Sequence, residues 1–283
     1  MIISKDHFIT KSTGERQKFE ESKLSKYLIG SGINEPLANQ TLLEVEKNLN
    51  NIKSTDDIYQ KVCEYLKNQG AVDSYFNYSL KRAVMLLGPS GHPFEHLVSE
   101  VLATKGYRTE VGVTALGKCV THEIDVVASN ADTQYFIECK FHNTTGVRTD
   151  IQVALYTYAR FLDVKLAMEH THGQKITYLP WLITNTKVTS EVFDYGNCNN
   201  LKVTAWYYPN GEGLRDMITA SNLHPITLLY HISPKKINAL IESNIVTFSS
   251  LKDAIKKDKV RGILSDHEMH HVLDDIKYLY KHE

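Results

Sequence analysis

The sequence predicts a multidomain chain of α and α/β class. A helical N-terminal segment carries a β-hairpin, a central segment forms an α/β mixed sheet, and a small C-terminal segment is helical. Three observations predict this. Apolar spacing is helical before about residue 88 and after about residue 211, and strand-like between them. Gly88-Pro89-Ser90-Gly91 is the clearest linker in the chain. The length of 283 residues allows two or three domains at roughly 100–200 residues each. The boundaries are read as 1–88, 92–210 and 211–283.

The elements follow in order. His7-Phe8-Ile9-Thr10 and Gln17-Lys18-Phe19 flank the turn Ser12-Thr13-Gly14-Glu15, the pattern of a hairpin. Leu24, Tyr27 and Leu28 recur at helical spacing until Gly30-Ser31-Gly32 stops them. Leu37, Thr41, Val45 and Leu49 predict a second helix. Ser54 caps a third, with Asp57 placed to complete a capping box. A fourth helix spans about Val72 to Leu87.

After the linker, a helix from Pro93 to Lys105 ends at Gly106. Strands are predicted over Tyr107–Val113, Val120–Ala128 and Tyr135–Phe141, the last two joined by the turn Ser129–Asp132. A long helix covers about Thr149 to Glu169. Strand Trp181–Thr184, a helix near Ser190–Tyr195 and strand Leu201–Tyr208 complete the segment. This order predicts a mixed sheet with helices on both faces. In the C-terminal segment, Pro225-Ile226-Thr227 leads in and Ser233-Pro234 starts a helix with Ile237, Leu240 and Ile241 inward. Helices at Ser249–Lys257 and Ser265–Tyr280 give it a helix-hairpin-helix-like spacing.

Composition narrows the function. With 42% hydrophobic and 23% charged residues, the chain has enough apolar material for real cores. Lys+Arg is 32 against Asp+Glu 33, a net charge of −1. That excludes a polybasic binder acting by bulk charge and leaves room for a local basic groove. The four cysteines, Cys63, Cys119, Cys139 and Cys198, have no CxxC spacing, which argues against a zinc ribbon or disulfide scaffold. Met1 to Lys11 lacks a signal-peptide core, and no apolar run reaches the roughly 18–20 residues a membrane span needs. A soluble cytoplasmic chain with no membrane partner is the expectation.

The most informative stretch is His122-Glu123-Ile124-Asp125, then twelve residues, then Glu138-Cys139-Lys140. On a strand, residues i and i+2 share a face, so Glu138 and Lys140 point together and Cys139 points into the opposite packing. A hairpin brings Asp125 alongside. Two adjacent carboxylates repel unless a cation lies between them, and oxygen-only ligands suit a hard cation such as Mg²⁺, or Mn²⁺. Lys140 beside it could orient the attacking water and stabilise charge developing on phosphorus.

Asp125…Glu138-Cys139-Lys140, preceded by a helix carrying Phe94-Glu95, resembles the Mrr-like branch of the PD-(D/E)xK restriction-endonuclease-like superfamily, over about Pro93 to Tyr208. The proline of the superfamily's name is replaced by Ile124. The resemblance implies a metal-dependent DNA endonuclease. In it Asp125, Glu138 and the Cys139 backbone carbonyl hold the metal, and Glu95 completes the site or a second metal position. Lys140 assists catalysis, and Gln152 lies near the site on the following helix. It also implies 5′-phosphate and 3′-hydroxyl products and a role in restriction or phage defence. His122 and His142 flank this set.

Thr10-Lys11-Ser12-Thr13-Gly14-Glu15-Arg16-Gln17-Lys18-Phe19, then Lys23-Leu24, Lys53-Ser54-Thr55 and Tyr75 to Arg82, resemble an ATP-cone over about residues 5–86. That family usually has Lys-Arg where this chain has Lys11-Ser12. The resemblance implies a four-helix module with a β-hairpin lid that binds ATP or dATP through Lys11, Lys23 and Arg16. It also implies a homo-oligomer as the regulated form.

Two further motifs are decoys. Gly112-x-x-x-x-Gly117-Lys118 nearly spells a P-loop, but Cys119 stands where a Ser/Thr is needed and a strand follows. His267-Glu268-Met269-His270-His271 matches HExxH, yet only His282 and Glu283 remain as late third ligands. The C-terminal Lys235, Lys236, Lys256, Lys257, Lys259 and Arg261 are read as a phosphate grip or a dimer surface, diluted by Asp253, Asp258, Asp274 and Asp275. Two other functions stay open: a nucleotide-sensing regulator that binds DNA without cutting it, and a structure-specific repair nuclease or resolvase.

Overall fold

The computed structural model describes residues 7–11, 13–172 and 176–279. The expectations that fall on Met1–Asp6, Ser12, Tyr280, His282 and Glu283 lie outside the described residues. The chain divides into two compact units, Met1–Leu80 and Lys81–Glu283.

In the first unit, strands β1 (Phe8–Thr10) and β2 (Arg16–Lys18) pair antiparallel. Gly14 takes φ +84°, which the tight turn needs and which only glycine adopts freely. Helices α1 (Glu21–Gly30), α2 (Glu35–Lys47) and α3 (Thr55–Asn68) follow, and α4 (Val72–Met85) begins here and ends in the second unit. The capping box at Ser54 and Asp57 forms as the sequence predicts. Leu49 departs from the expectation. It lies in a separate 3-10 turn, Leu49–Asn51, because the Asn48 side chain bonds back to the Glu44 carbonyl and ends α2. The hairpin is tied to the segment before α3 through Thr10 N–H to the Lys53 carbonyl at 2.8 Å. The His7 ring meets the Ile52 carbonyl at 2.6 Å. Leu28, Val45, Val62 and Leu66 form the core beneath.

The second unit starts with α5 (His92–Thr104) and the strands β3 (Arg108–Leu116), β4 (Thr121–Ser129) and β5 (Thr133–Lys140). Then come β6 (Arg148–Thr149), α6 (Ile151–His172), β7 (Thr177–Thr184), β8 (Lys187–Val188), α7 (Ser190–Asn199) and β9 (Lys202–Thr204). Among the described residues the main sheet has the order β3-β4-β5-β7-β9. Its first three strands are antiparallel, and β7 and β9 add on in parallel. This is the mixed sheet expected. The β4–β5 turn is held by the Asn130 side chain, which accepts from Asp132 N–H and Thr133 N–H. Phe94 of α5 packs on Phe141, and Phe161 of α6 packs on Phe136.

Two strand ranges are corrected, and one strand pair is new. The first strand runs on to Leu116 because Gly112, at φ +65°, lets the chain kink without stopping. The last strand covers Lys202–Thr204 and not Leu201–Tyr208, since Ala205 turns back to bridge Tyr208. The parallel pair β6–β8 was not foreseen; two residues are too few to show a period.

Helices α8 (Leu214–Ala220), α9 (Pro234–Glu242), α10 (Phe248–Lys256) and α11 (Asp266–Leu279) complete this unit. Ile237, Leu240 and Ile241 are buried as the spacing predicts. The α10 helix begins one residue early because Thr247 and Ser250 form a reciprocal cap. Thr247 also bonds Glu100 of α5, and the Thr227 hydroxyl donates to the Ala83 carbonyl at 2.7 Å. Among the described residues no helix is long and apolar enough to cross a membrane.

Candidate active site

The β4–β5 ladder runs from Ser129↔Gln134 to Val126↔Ile137 and ends there. Continuing that register by one step would bring Asp125 opposite Glu138, whose charge acts on Asp125. The Asp125 carboxylate takes over from the ladder, with its Oδ2 accepting Cys139 N–H at 2.7 Å. Cys139 is buried, and burial raises its thiol well above the ordinary value. Only its backbone carbonyl is therefore a plausible ligand.

Glu138 is engaged from the facing helix. Tyr156 donates its hydroxyl to Oε1 at 2.7 Å, and Arg160 donates from Nη1 to Oε2 at 2.5 Å. The Arg160 guanidinium lies 5.4 Å from the Tyr156 ring centre. Gln152, Tyr156 and Arg160 are spaced four apart, so they share one face of α6. Gln152 is exposed at the helix start, where Asp150 Oδ1 accepts its N–H at 3.1 Å. It stands on the site face without bonding the carboxylates. Arg160 was absent from the expected set. The signal that could have found it is the i, i+4, i+8 polar stripe.

Glu95 lies in the first turn of α5, where His92 Nδ1 meets its Oε2 at 3.1 Å. A Cβ built on Gly91 would stand 3.7 Å from Glu95 Oε1 and 3.8 Å from Phe141 Cβ, which puts this carboxyl at the end of β5. The electrostatics agree. Burial first, then the charge of Glu138, pushes Asp125 up to about 7, against the Cys139 N–H bond. Burial also raises Glu95, opposed by His92 and reinforced by Glu123 and Glu138. Three carboxyl groups thus crowd one another, the condition a cation relieves.

Lys140, two residues after Glu138, shares its face and is part-buried. Among the described residues its ammonium has no hydrogen-bond or ion-pair partner. Its charge helps lower His142, after burial. His142 is built into the scaffold through Asn185 and Thr149. His122 is likewise engaged: its Nε2 meets Asp163 Oδ2 at 2.8 Å. Asp163 also accepts from Cys119 N–H and Val120 N–H, and its carbonyl accepts from Lys118 N–H. The near-P-loop is thereby explained. Gly117 makes room for Asp163, and Lys118 leads into a strand. His122, Asp163, Cys119, Tyr156 and Arg160 line an open cleft of about 600 Å³.

The donor chemistry suits a hard cation. Asp125, Glu138 and the Cys139 carbonyl supply oxygen only. Among the described residues no three His, Cys, Asp or Glu donors already form a metal cluster.

The three residues expected at a nucleotide each have a local partner in the first unit. Lys11 pairs with Glu15 at 2.8 Å and Lys23 with Glu20 at 2.7 Å, while Arg16 lies over Phe8 at 5.8 Å. No shared acceptor joins them among the described residues. In the second unit, the HExxH glutamate is locked. Glu268 accepts from Lys236 at 2.8 and 2.6 Å and from Ser265, and these bonds hold it at about 2. A base held that firmly does not serve a zinc protease.

A family model described as restriction endonuclease matches residues 86–206. An uncharacterized protein of Archaeoglobus fulgidus is 38% identical over 166 residues, which cover 59% of this chain and 89% of that protein. The crystal structure of a protein of unknown function is similar at 35% identity and a TM-score of 0.56, covering 67% of this chain and 98% of that one.

Proposed function

This chain belongs to the family of the Archaeoglobus protein, with a restriction-endonuclease-like domain at residues 86–206, and from that premise we propose a divalent-metal-dependent DNA endonuclease under adenine-nucleotide control. The observation that carries the reading is the end of the β4–β5 ladder. There Asp125 accepts Cys139 N–H and feels the Glu138 charge, and Lys140 follows Glu138 on the same face with no hydrogen-bond or ion-pair partner among the described residues.

Asp125, Glu138 and the Cys139 carbonyl would hold Mg²⁺ or Mn²⁺, with Glu95 at the margin. When bound, such a metal would supply Lewis-acid activation of a water and charge neutralisation at a phosphate. Lys140 orients that water and faces the developing negative charge. Tyr156 and Arg160 fix the rotamer of Glu138. Gln152 stands where a DNA strand would pass. The products expected are 5′-phosphate and 3′-hydroxyl ends, in a restriction or phage-defence setting.

In the first unit, Lys11, Arg16 and Lys23 bind the polyphosphate of ATP or dATP. Their exposed local pairs are weak and open to exchange. Nucleotide binding then acts through assembly of a homo-oligomer.

The test is cleavage of plasmid, linear duplex, single-stranded and branched DNA with Mg²⁺ or Mn²⁺, with and without ATP and dATP. Cutting that disappears in Lys140→Ala supports the nuclease. Equal cutting by wild type and Lys140→Ala removes it. Preference for branched DNA converts the reading to a structure-specific repair nuclease. A second reading, a DNA-binding regulator that does not cut, is favoured by the guanidinium already paired with Glu138. Metal-independent DNA binding with no cleavage under any nucleotide would establish it.

A further inference from the structure

The histidines of α11 serve neither the candidate active site nor a protease, and they stand together. His267 Nε2 and His271 Nε2 are 3.2 Å apart. Two nitrogens bound to one tetrahedral zinc at about 2.0–2.1 Å would be about 3.3 Å apart. His231, on the segment before α9, brings a third imidazole to the same place. Its ring centre is 5.9 Å from that of His271, while the His267 and His271 centres are 4.4 Å apart. Three imidazoles around one zinc put their centres roughly 5 Å apart, between these two values.

The state of His231 points to a ligand. Its Nδ1 faces Asp275 Oδ2 at 3.4 Å. A carboxylate there keeps the ring proton on Nδ1 and leaves the lone pair on Nε2, the arrangement by which carboxylates orient metal-binding histidines. That Nε2 is buried and has no hydrogen-bond partner among the described residues. A hydrogen bond between His267 and His271 explains their own distance, but it leaves His231 Nε2 unsatisfied, which is costly for a buried acceptor.

We propose that His231, His267 and His271 form a binding site for a zinc-class transition-metal ion in the second unit, separate from the Mg²⁺ carboxylates. Among the described residues no three donors are yet at ligating distance, so binding closes the site by rotation of the rings. Neutral imidazoles alone select Zn²⁺, Co²⁺ or Ni²⁺ over Mg²⁺. Glu268 is held by Lys236 and Ser265 and takes no part. The ion would pin α11 to the segment ahead of α9, a structural role with water as the fourth ligand.

The full chain is titrated with Zn²⁺ by calorimetry and with Co²⁺ by visible absorption, both in saturating Mg²⁺ so that the carboxylate site is already filled. Wild type should take up one ion and show the d–d bands of tetrahedral Co²⁺. Asp275→Asn should weaken binding roughly 10–100-fold. His231→Ala and the His267→Ala/His271→Ala double variant should lose it. His270→Ala, an exposed neighbour paired with Asp274, should bind as wild type does. Circular dichroism confirms folding, and His267 and His271 are exposed on α11, so their removal leaves the core intact. Absence of binding in wild type, or an unchanged isotherm in either histidine variant, overturns the proposal.

Discussion

Arg160 on α6 donates to the carboxylate of Glu138 on β5 at 2.5 Å, so the acid assigned to a metal already faces a positive charge. The guanidinium partly compensates the crowding of Glu95, Asp125 and Glu138. It also makes the site's geometry depend on a residue nine positions after the start of a helix that is distant in sequence.

Replacing Arg160 by Met should therefore destabilise the metal-free protein. Glu138 is 11% exposed and Arg160 29%, so the loss is smaller than for a fully buried pair, about 1–3 kcal/mol. Mg²⁺ should restore part of that loss by binding the folded form. Thermal unfolding with and without Mg²⁺ measures both effects; a Tm unchanged from wild type without metal counts against the pair's structural role.

Asp125 sets a pH dependence in the metal-free protein. Its folded value is about 7 against an ordinary 3.8. Between those values the folded state holds a proton that the unfolded chain has released, so stability falls as pH rises through that window. Asp125→Asn removes this titration while keeping an acceptor for Cys139 N–H. The variant should show a flatter profile and exceed wild type above pH 7 by about 2–4 kcal/mol. Urea unfolding at a series of pH values checks the sign.

Lys140→Ala should lower kcat for DNA cleavage by about 10²–10³-fold, the scale of losing one preorganised charge at the transition state. Its ammonium has no hydrogen-bond or ion-pair partner among the described residues. Stability should thus shift by no more than ~0.5 kcal/mol. A stable but inactive variant is the expected outcome of parallel single-turnover and unfolding measurements.

Gly117→Ala should be harmful although it looks mild. A Cβ there would meet the Val120 carbonyl at 2.6 Å and collide with the Asp163 carboxylate. The expected cost is about 1–3 kcal/mol, as for overpacking, with displacement of the loop that Asp163 holds. Hydrogen exchange at Cys119 and Val120, whose amides bond Asp163, should become faster.

In the first unit, Glu15→Gln and Glu20→Gln release Lys11 and Lys23 from their exposed pairs. If those lysines receive polyphosphate, each change should tighten ATP binding by up to about fivefold. Lys11→Ala and Lys23→Ala should weaken it. Calorimetry reads the direction in each case.

The sequence by itself determined the mixed sheet and most of the order of its elements. Local chemistry reaches that far: strand parity places Glu138 with Lys140, and Ser54 with Asp57 writes a cap within four residues. Tertiary structure decided what each side chain does. Arg160 and Tyr156 meet Glu138 only after α6 packs on the sheet. Asp163 reaches His122 from 41 positions away. Gly117 is small because of a carboxylate in another element. His231 joins α11 only when the C-terminal helices close on each other. A spacing pattern records neighbours within a few residues, whereas burial, pKa and partner choice arise from contacts between distant segments. The near-neutral charge divides in the same way. The counts of 32 and 33 say nothing about the pairs Lys11–Glu15, Lys23–Glu20 and Arg160–Glu138, which only folding creates.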